Sequence, residues 1–139
     1  MLHLQRILAV ILISISGQVF CEDKYQPNSG DQHLDAALQQ INKNKKISKK
    51  KFIRVTAAEF QVQKEKVTEL FTHYKFTPAD VLMTLSIADA TGQPVNNISR
   101  AYFENKKSGW KFVLDQLNIN QYTKEYKQIN KDVKVEFIK

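Results

Sequence analysis

Segment 77–92 constrains the fold of this chain most, because it carries a full set of helix start and stop signals. Thr77 supplies a capping hydroxyl, and Pro78 stands at the first helical position, where its missing N–H is harmless. Asp80 lies near the positive end of the helix dipole, and Gly92 is a natural left-handed stop. The pattern predicts a helix whose apolar residues are Val81, Leu82, Leu85 and Ala88.

The rest of the chain between residues 48 and 130 also has a helical period. Apolar residues recur every three or four positions, and a weaker repeat covers residues 122–130. We therefore predict an all-α compact domain over residues 48–130, with five or six short helices joined by tight turns. The apolar residues that indicate these helices are Phe52, Val55 and Phe60; Val67, Leu70, Phe71 and Tyr74; Val95, Ile98 and Tyr102; and Trp110, Val113, Leu114 and Leu117.

Trp110 is the only tryptophan, and it directly follows Gly109. It begins an i, i+3, i+4, i+7 apolar stripe, which favours a core position over an exposed contact for a partner. Ser108 is placed to cap this helix, and Gly109 would let two backbones approach closely or let the chain turn sharply. The predicted core anchors are Trp110, Tyr102, Leu114 and Leu117.

Residues 131–139 form a predicted extended tail, because the apolar period changes there. Val133, Val135 and Phe137 alternate with charged residues, as in a strand. A single strand is not stable alone. Its partner would be residues 51–55 or the tail of another molecule, unless the tail is unpaired.

Residues 1–21 have the layout of a signal peptide. Arg6 is the only charge before the apolar segment 7–16, which is shorter than the roughly 20 residues needed to span a bilayer. Cleavage after Cys21 and cleavage near residues 16–17 are both compatible with the pattern, and an uncleaved membrane anchor is the alternative. We predict export to the periplasm or the medium, with no transmembrane span in the mature chain.

A polar leader, a short helix and a basic linker occupy residues 22–47 in this interpretation. The leader, residues 22–32, is predicted to be flexible because it is polar and contains a proline and a glycine. Asp31 is placed to cap a short helix. The apolar stripe of that helix is Leu34, Leu38 and Ile41.

Cys21 is the only cysteine, so no disulfide can form within the chain. Lipid modification of Cys21 is a further alternative, although the bulky Phe20 before it fits that processing poorly. Stability must then come from apolar packing, since neither disulfides nor a clustered Cys/His metal site is available.

The positive charge is concentrated in the basic segment, residues 43–54. The chain has a net charge of +7, and without residues 1–21, which carry one basic residue and no acid, it has 20 basic and 14 acidic residues. The basic segment holds seven of those 20 and no acid, so the remainder is near neutral. We predict that it binds an acidic protein, a lipid headgroup, lipopolysaccharide or an anionic polymer, unless it is only a solubilising linker. The predicted contacts are Lys43, Lys45, Lys46, Lys49, Lys50, Lys51 and Arg54.

No catalytic, cofactor or metal site is predicted. His73 is the only histidine in the compact domain, and its neighbours form no known motif, so a surface position is expected. Glycines occur only at positions 17, 30, 92 and 109, which excludes a glycine-rich phosphate loop. A catalytic pair of carboxylates stays open, and its candidates are Asp80, Asp89, Glu104 and Asp115.

The main alternative function is nucleic-acid binding by a helix-turn-helix at residues 57–70. The adjacent basic segment could contact phosphates. Against this, Gln61 stands at the turn position that favours glycine, the second helix exposes an acid, and export separates the protein from most nucleic acid. The residues with helix-turn-helix spacing are Ala57, Phe60, Val62, Val67 and Leu70.

A pattern of short motifs covers about half of the chain. It consists of Pro78-Ala79-Asp80, Ala88, Gly92, Pro94-Val95, Tyr102, Lys106-Lys107, Gly109-Trp110, Leu117 and Ile119. This pattern resembles that of a group of small exported bacterial proteins of uncharacterised function, although Lys111 and Asn118 stand where that group has glycine. The resemblance implies an exported all-helical domain and supplies no activity. Together with the charge pattern, it leads us to expect a non-enzymatic exported protein that acts by binding.

Overall fold

The computed structural model describes residues 24–134, which form seven α-helices and one 3₁₀ turn, with no strand in that range. The all-α prediction is confirmed, and the seven helices are the six of the predicted compact domain together with the short leader helix. The predicted signal peptide, residues 1–21, lies outside the described residues. The helices are α1 Gln32–Lys43, α2 Lys49–Glu59, α3 Lys64–Thr72, α4 Pro78–Thr91, α5 Val95–Glu104, α6 Gly109–Gln116 and α7 Lys124–Val133, and the 3₁₀ turn is Lys106–Ser108.

Helix α4 is the centre of the molecule. All residues from Ala79 to Ala88 are buried, because α1, α3, α5 and α7 pack around it. Its predicted ends are confirmed: Thr77 accepts from the backbone N–H of Asp80 at 3.3 Å in a capping box, and Gly92 ends the helix at φ 71°. Even α4 is only 14 residues long, and between residues 24 and 134 no helix has both the length and the apolarity to cross a membrane.

The carboxylate of Asp80 connects α4 to two distant parts of the chain. Asp80 is fully buried, and its Oδ1 accepts from the Tyr25 hydroxyl at 2.8 Å and from Trp110 Nε1 at 3.2 Å. Its Oδ2 accepts from the Thr77 backbone N–H at 3.3 Å. Burial and the neighbouring Asp80 raise the pKa of Tyr25, so the hydroxyl stays a neutral donor. We call Tyr25, Thr77, Asp80 and Trp110 the Asp80 cluster.

The leader differs from the flexible segment that its composition predicts. Its described part packs on the start of α6, where the backbone N–H groups of Trp110 and Lys111 donate to the carbonyls of Pro27 and Asn28, each at 2.9 Å. Pro27 is buried. Gly109 makes this approach possible, since a Cβ there would lie 2.5 Å from the Asn28 Cβ. The leader is thus fixed by backbone pairing and by Tyr25, which polar composition does not reveal.

Helix α1 belongs to the same core as the other helices, although sequence placed the start of the compact domain near Ser48. Leu34, Leu38 and Ile41 are buried, and α1 packs on α4 and α7. The predicted cap is present, because Asp31 accepts from the backbone N–H groups of residues 33 and 34. The basic segment interrupts the apolar pattern in sequence, but it does not separate α1 from the core in space.

The ends of α6 and α7 differ from the sequence predictions. Ser108 makes no side-chain capping hydrogen bond, because it ends the 3₁₀ turn and Gly109 follows in a conformation with φ 71° and ψ −173°. Val133 is the last residue of α7, so the predicted extended tail is helical up to that point. It lies four residues after Ile129, and both are buried on one helix face. Residues 135–139 lie outside the described part of the chain.

Trp110 is fully buried and stacks on Tyr102 with ring centroids 3.7 Å apart. We expect Trp110→Ala to cost about 3–5 kcal/mol of unfolding free energy, because a large core side chain is lost. Trp110→Phe keeps a ring but removes the N–H donor to Asp80, and should cost about 1–3 kcal/mol. Urea titration followed by circular dichroism measures both.

The native protein offers an independent check of the buried tryptophan. Its emission should be blue-shifted and poorly quenched by iodide, since Trp110 is the only tryptophan in the chain. An alanine variant with wild-type melting behaviour would contradict the role of Trp110 as a core anchor.

Gly92 and Gly109 provide a matched pair for testing the docked leader, because both have φ 71°. A Cβ at Gly92 meets no atom within 4 Å, so Gly92→Ala should cost only the left-handed backbone strain, about 1–2 kcal/mol. A Cβ at Gly109 would lie 2.8 Å from the Pro27 carbonyl oxygen, and the backbone is in a region almost restricted to glycine.

We expect Gly109→Ala to cost about 1–3 kcal/mol more than Gly92→Ala, because the added methyl group overpacks the contact with the leader and the backbone at Gly109 is less accessible to alanine. Chemical denaturation of the two variants and the wild type gives the difference. Equal costs would mean that the leader does not pack against Gly109.

Candidate anion-binding surface

A groove between α2 and α3 brings most of the predicted basic contacts together. Its volume is about 570 Å³, and five cationic side chains line it with no acidic residue among them. We call it the basic groove. Its lining residues are Ser48, Lys49, Lys50, Lys51, Ile53, Arg54, Lys64 and Thr68.

Four of the seven predicted contacts lie in the basic groove, and three do not. Lys49, Lys50, Lys51 and Arg54 converge because they occupy the first two turns of α2, which Ser48 caps by accepting from the Lys51 backbone N–H. The remaining three lie outside this groove, at the end of α1 and in the connection to α2. They are Lys43, Lys45 and Lys46.

Lys64 is a member of the basic groove that the sequence did not indicate. It is the first residue of α3, ten positions after Arg54 and separated from it by a turn. The two cations line one groove because α2 packs on α3. The only sequence signal was the apolar spacing of residues 57–70, which predicted that the two helices pack but not which charged side chains meet.

The charges of the basic groove are not neutralised within the described protein. Two ion pairs are present in residues 24–134, Lys66–Glu69 and Lys111–Asp115, and neither involves the groove. The first turn of α2 contains three lysines and no acid. Because the N-terminal end of a helix is positive, these lysines add repulsion instead of relieving it. The arrangement leaves a concentrated positive potential open to an anion.

A second groove adjoins the first and shares Lys49 with it. It lies between the end of α1, the start of α2 and the connection from α3 to α4, and its volume is about 350 Å³. We call it the apolar groove. Its lining residues are Ile41, Asn42, Asn44, Lys45, Ile47, Lys49, Phe52, Phe71, Phe76 and Pro78.

The predicted core anchors lie away from both grooves. Trp110, Tyr102 and Leu114 are buried, and Leu117 is half-buried at the edge of the core. These residues therefore form part of the scaffold and line neither groove.

Three of the residues considered for catalysis lie in separate places. His73 is exposed at the end of α3, with its ring edge-on to Tyr74. Asp80 is enclosed in the Asp80 cluster, while Asp115 pairs with Lys111 at the surface. Within residues 24–134, no group of three or more His, Cys, Asp or Glu side chains is arranged to hold a metal ion.

An acidic cluster that the sequence did not indicate forms where α7 meets the core. Burial raises the pKa of Asp132, and the nearby carboxylates of Asp89 and Glu59 raise it further. Gln128 Nε2 donates to Asp132 Oδ1 at 2.7 Å, which opposes these effects. Burial, with a smaller contribution from the two neighbouring carboxylates, therefore disfavours the ionised form of Asp132.

Comparison with known proteins returns no match: no family model, no curated protein and no solved structure matches this chain. The function is therefore inferred from the residues that line the two grooves.

Asp132 gives a pH-dependent prediction. Because its folded-state pKa is raised above the ordinary 3.8, the folded protein binds more protons than the unfolded chain in that window. This residue's contribution to stability therefore falls as the pH rises through the raised pKa. Asp132→Asn removes the titration, so the variant should gain stability relative to wild type as the pH increases.

The measurement is the difference in unfolding free energy between Asp132→Asn and wild type from pH 3 to 7, an interval chosen to bracket that window. Taking the difference cancels the titration of carboxyl groups that do not interact with Asp132. A difference that is constant over this range would show that folding does not raise the pKa of Asp132.

Proposed function

We propose that this is a non-enzymatic exported protein that binds an anionic partner through the basic groove. The observation that carries the proposal is the convergence of five cations from two helices on one groove whose lining contains no acid. Export is inferred from the signal-peptide pattern of residues 1–21.

The position of the lysines supports binding over simple solubilisation. A charge that serves only solubility can stand anywhere on the surface, whereas Lys49, Lys50 and Lys51 occupy the helix turn where positive charge is least favourable. An anion in the groove would interact favourably with both the lysines and the helix end. The same position that costs α2 stability in the free protein therefore favours an anionic ligand.

The partner class that fits best is an anionic surface or polymer with several negative groups. Lipid headgroups, acidic proteins and anionic polymers all present such groups to an exported protein. The groove is lined by flexible lysines and contains a single arginine, so it suits clustered charge more than one rigid bidentate group.

A helix-turn-helix nucleic-acid binder is the second candidate, and the turn between α2 and α3 favours it. Gln61 adopts φ 53°, the left-handed conformation for which this turn usually uses glycine. Ala57, Val67 and Leu70 are buried where the two helices pack, as that motif requires. Against it, α3 carries Glu69 paired with Lys66 at 2.7 Å, which reduces the positive charge that it can present to a phosphate backbone.

Charge removal within the groove tests the first proposal. Lys49→Gln/Lys50→Gln/Lys51→Gln should weaken binding to phosphatidylglycerol vesicles by about 3 kcal/mol, or roughly 100-fold, at about 1 kcal/mol for each lysine near an anionic surface. Binding of the wild type should decline with added salt, because exposed charges are screened within about 8 Å at physiological ionic strength. Vesicle co-sedimentation at several salt concentrations measures both.

The matched control is Lys106→Gln/Lys107→Gln/Lys124→Gln, which removes the same net charge from exposed positions outside both grooves. It should retain most of the binding, and both variants should melt within a few degrees of wild type. Equal losses in the two variants would mean that net charge, and not the groove, attracts the vesicle.

The helix-turn-helix alternative is tested with the same proteins. It expects duplex DNA to bind more tightly than polyphosphate of matched charge. It also expects Gln63→Ala, at an exposed position at the start of α3 and outside the lining of the basic groove, to weaken DNA binding alone. Comparable affinity for the two polymers would reject it.

A further inference from the structure

The apolar groove combines an aromatic floor with a positively charged rim. Phe52 and Phe71 meet edge to face with ring centroids 5.8 Å apart, and the Phe76 ring also lines the groove. The Nζ atom of Lys49 lies 4.7 Å from the centroid of the Phe71 ring, within the range of a cation–π contact. This contact positions one ammonium group at the boundary between the floor and solvent.

The polar groups around the floor leave the lysines as the binding groups for a charged ligand. Asn42 is already engaged, because its Nδ2 donates to Thr77 Oγ1 at 3.0 Å and its Oδ1 accepts from the Ala79 backbone N–H at 2.8 Å. Lys45 and Lys49 are the two charged residues of the lining, and no acid accompanies them. The rim therefore favours a ligand with a negative group.

The walls select a ligand with an apolar part. Ile47 lies in the connection between α1 and α2 and remains half-buried, so it presents apolar surface beside the aromatic floor. The volume of about 350 Å³ lies at the lower end of the roughly 300–1,000 Å³ typical of small-molecule sites. A polyanion without an apolar part would leave this apolar surface uncovered. A neutral hydrocarbon would give neither lysine an anionic group to bind.

We propose that the apolar groove binds a free single-chain anionic amphiphile, such as a fatty acid, with its hydrocarbon chain on the aromatic floor and its acid group between Lys45 and Lys49. The inference rests on the proposed anion-binding function, because Lys49 also lines the basic groove. It narrows the ligand class from any anion to one that carries a hydrocarbon chain.

Calorimetric titration of the mature protein with three ligands tests the proposal. Decanoate has both the acid and the chain, butyrate has the acid with little chain, and monodecanoyl glycerol has the chain without the charge. Decanoate should bind roughly tenfold or more tightly than either, because buried methylene groups and the ammonium groups act together. Equal affinities for decanoate and butyrate, or for decanoate and the neutral ligand, would overturn the proposal.

Two isoleucines offer a matched pair of variants. Ile47→Gln polarises the apolar groove and should reduce decanoate affinity roughly tenfold, because apolar contact area is lost. Ile53→Gln makes the same change in the basic groove and should leave decanoate affinity within about twofold, since Ile53 is not among the residues of the apolar groove. If Ile47→Gln and wild type bind decanoate with equal affinity, the hydrocarbon chain does not lie in the apolar groove and the proposal is overturned.

If Ile47→Gln does not fold, a lysine variant provides the test instead. Lys49→Gln keeps the apolar wall and should weaken decanoate binding without weakening monodecanoyl glycerol binding. Unchanged decanoate binding in this variant would contradict the position of the acid group.

Phosphatidylglycerol vesicles separate this inference from the proposed function. Suppose that wild type and Ile47→Gln bind the vesicles equally well, while Ile47→Gln binds decanoate more weakly than wild type does. The apolar groove then binds a free amphiphile, as proposed. If Ile47→Gln loses vesicle binding as well, the groove takes a bilayer lipid and the free-amphiphile proposal is wrong. Vesicle binding without any decanoate binding rejects this inference and leaves the anion-binding function standing, whereas the loss of both rejects both.

Discussion

The buried carboxylate of Asp80 is the interaction on which the arrangement of the helices depends. An ionised carboxylate without partners in a protein interior costs several kcal/mol, and each hydrogen bond to a charged group returns about 1.5–3 kcal/mol. Asp80 accepts hydrogen bonds from three donors and lies at the positive end of α4, and none of those donors carries a charge. The donors come from the leader, from Thr77, which caps α4, and from α6, so a single group aligns three separate segments. Removal of either aromatic donor leaves part of the buried charge unsatisfied.

The sequence predicted the start of α4, with Thr77 as its cap and Asp80 near its positive end, and only the local one of the three contacts belongs to that start. The bond to the Thr77 backbone is a helix cap, which depends on residues three positions apart and on no other part of the fold. The partners Tyr25 and Trp110 are 55 and 30 residues away, and apolar spacing says nothing about such pairs. The same limit explains the leader, which is polar in composition but is held by backbone hydrogen bonds beside Gly109. Polar composition predicts that a segment buries little apolar surface, but not that its backbone lacks partners.

The candidate site was predictable to a similar degree. A charge count located the basic segment, and the helical period placed its second half on α2, where four cations share a groove. The contribution of Lys64 and the separation of Lys43, Lys45 and Lys46 from that groove depend on how α1, α2 and α3 pack. The apolar groove could not be predicted for another reason. Phe52 and Phe71 have the spacing of ordinary core residues, and Phe71 approaches Phe52 and Lys49 only because α2 lies against α3.

Stability and binding are assigned to different parts of the molecule. Helix α4 packs on α1, α3, α5 and α7, whereas the main contact of α2 is with α3. The unfavourable charges are on α2, in a first turn that carries three lysines and no acid. Such a conflict between a local rule and the observed residues is expected at functional sites, where the remainder of the fold supplies the missing stability. Because the repulsion lies at the helix end that lines the groove, a bound anion would reduce it and stabilise α2 at the same time. Under the proposed function, ligand binding and the stability of α2 are therefore coupled through the same charges, whereas the Asp80 cluster joins α4, α6 and the leader.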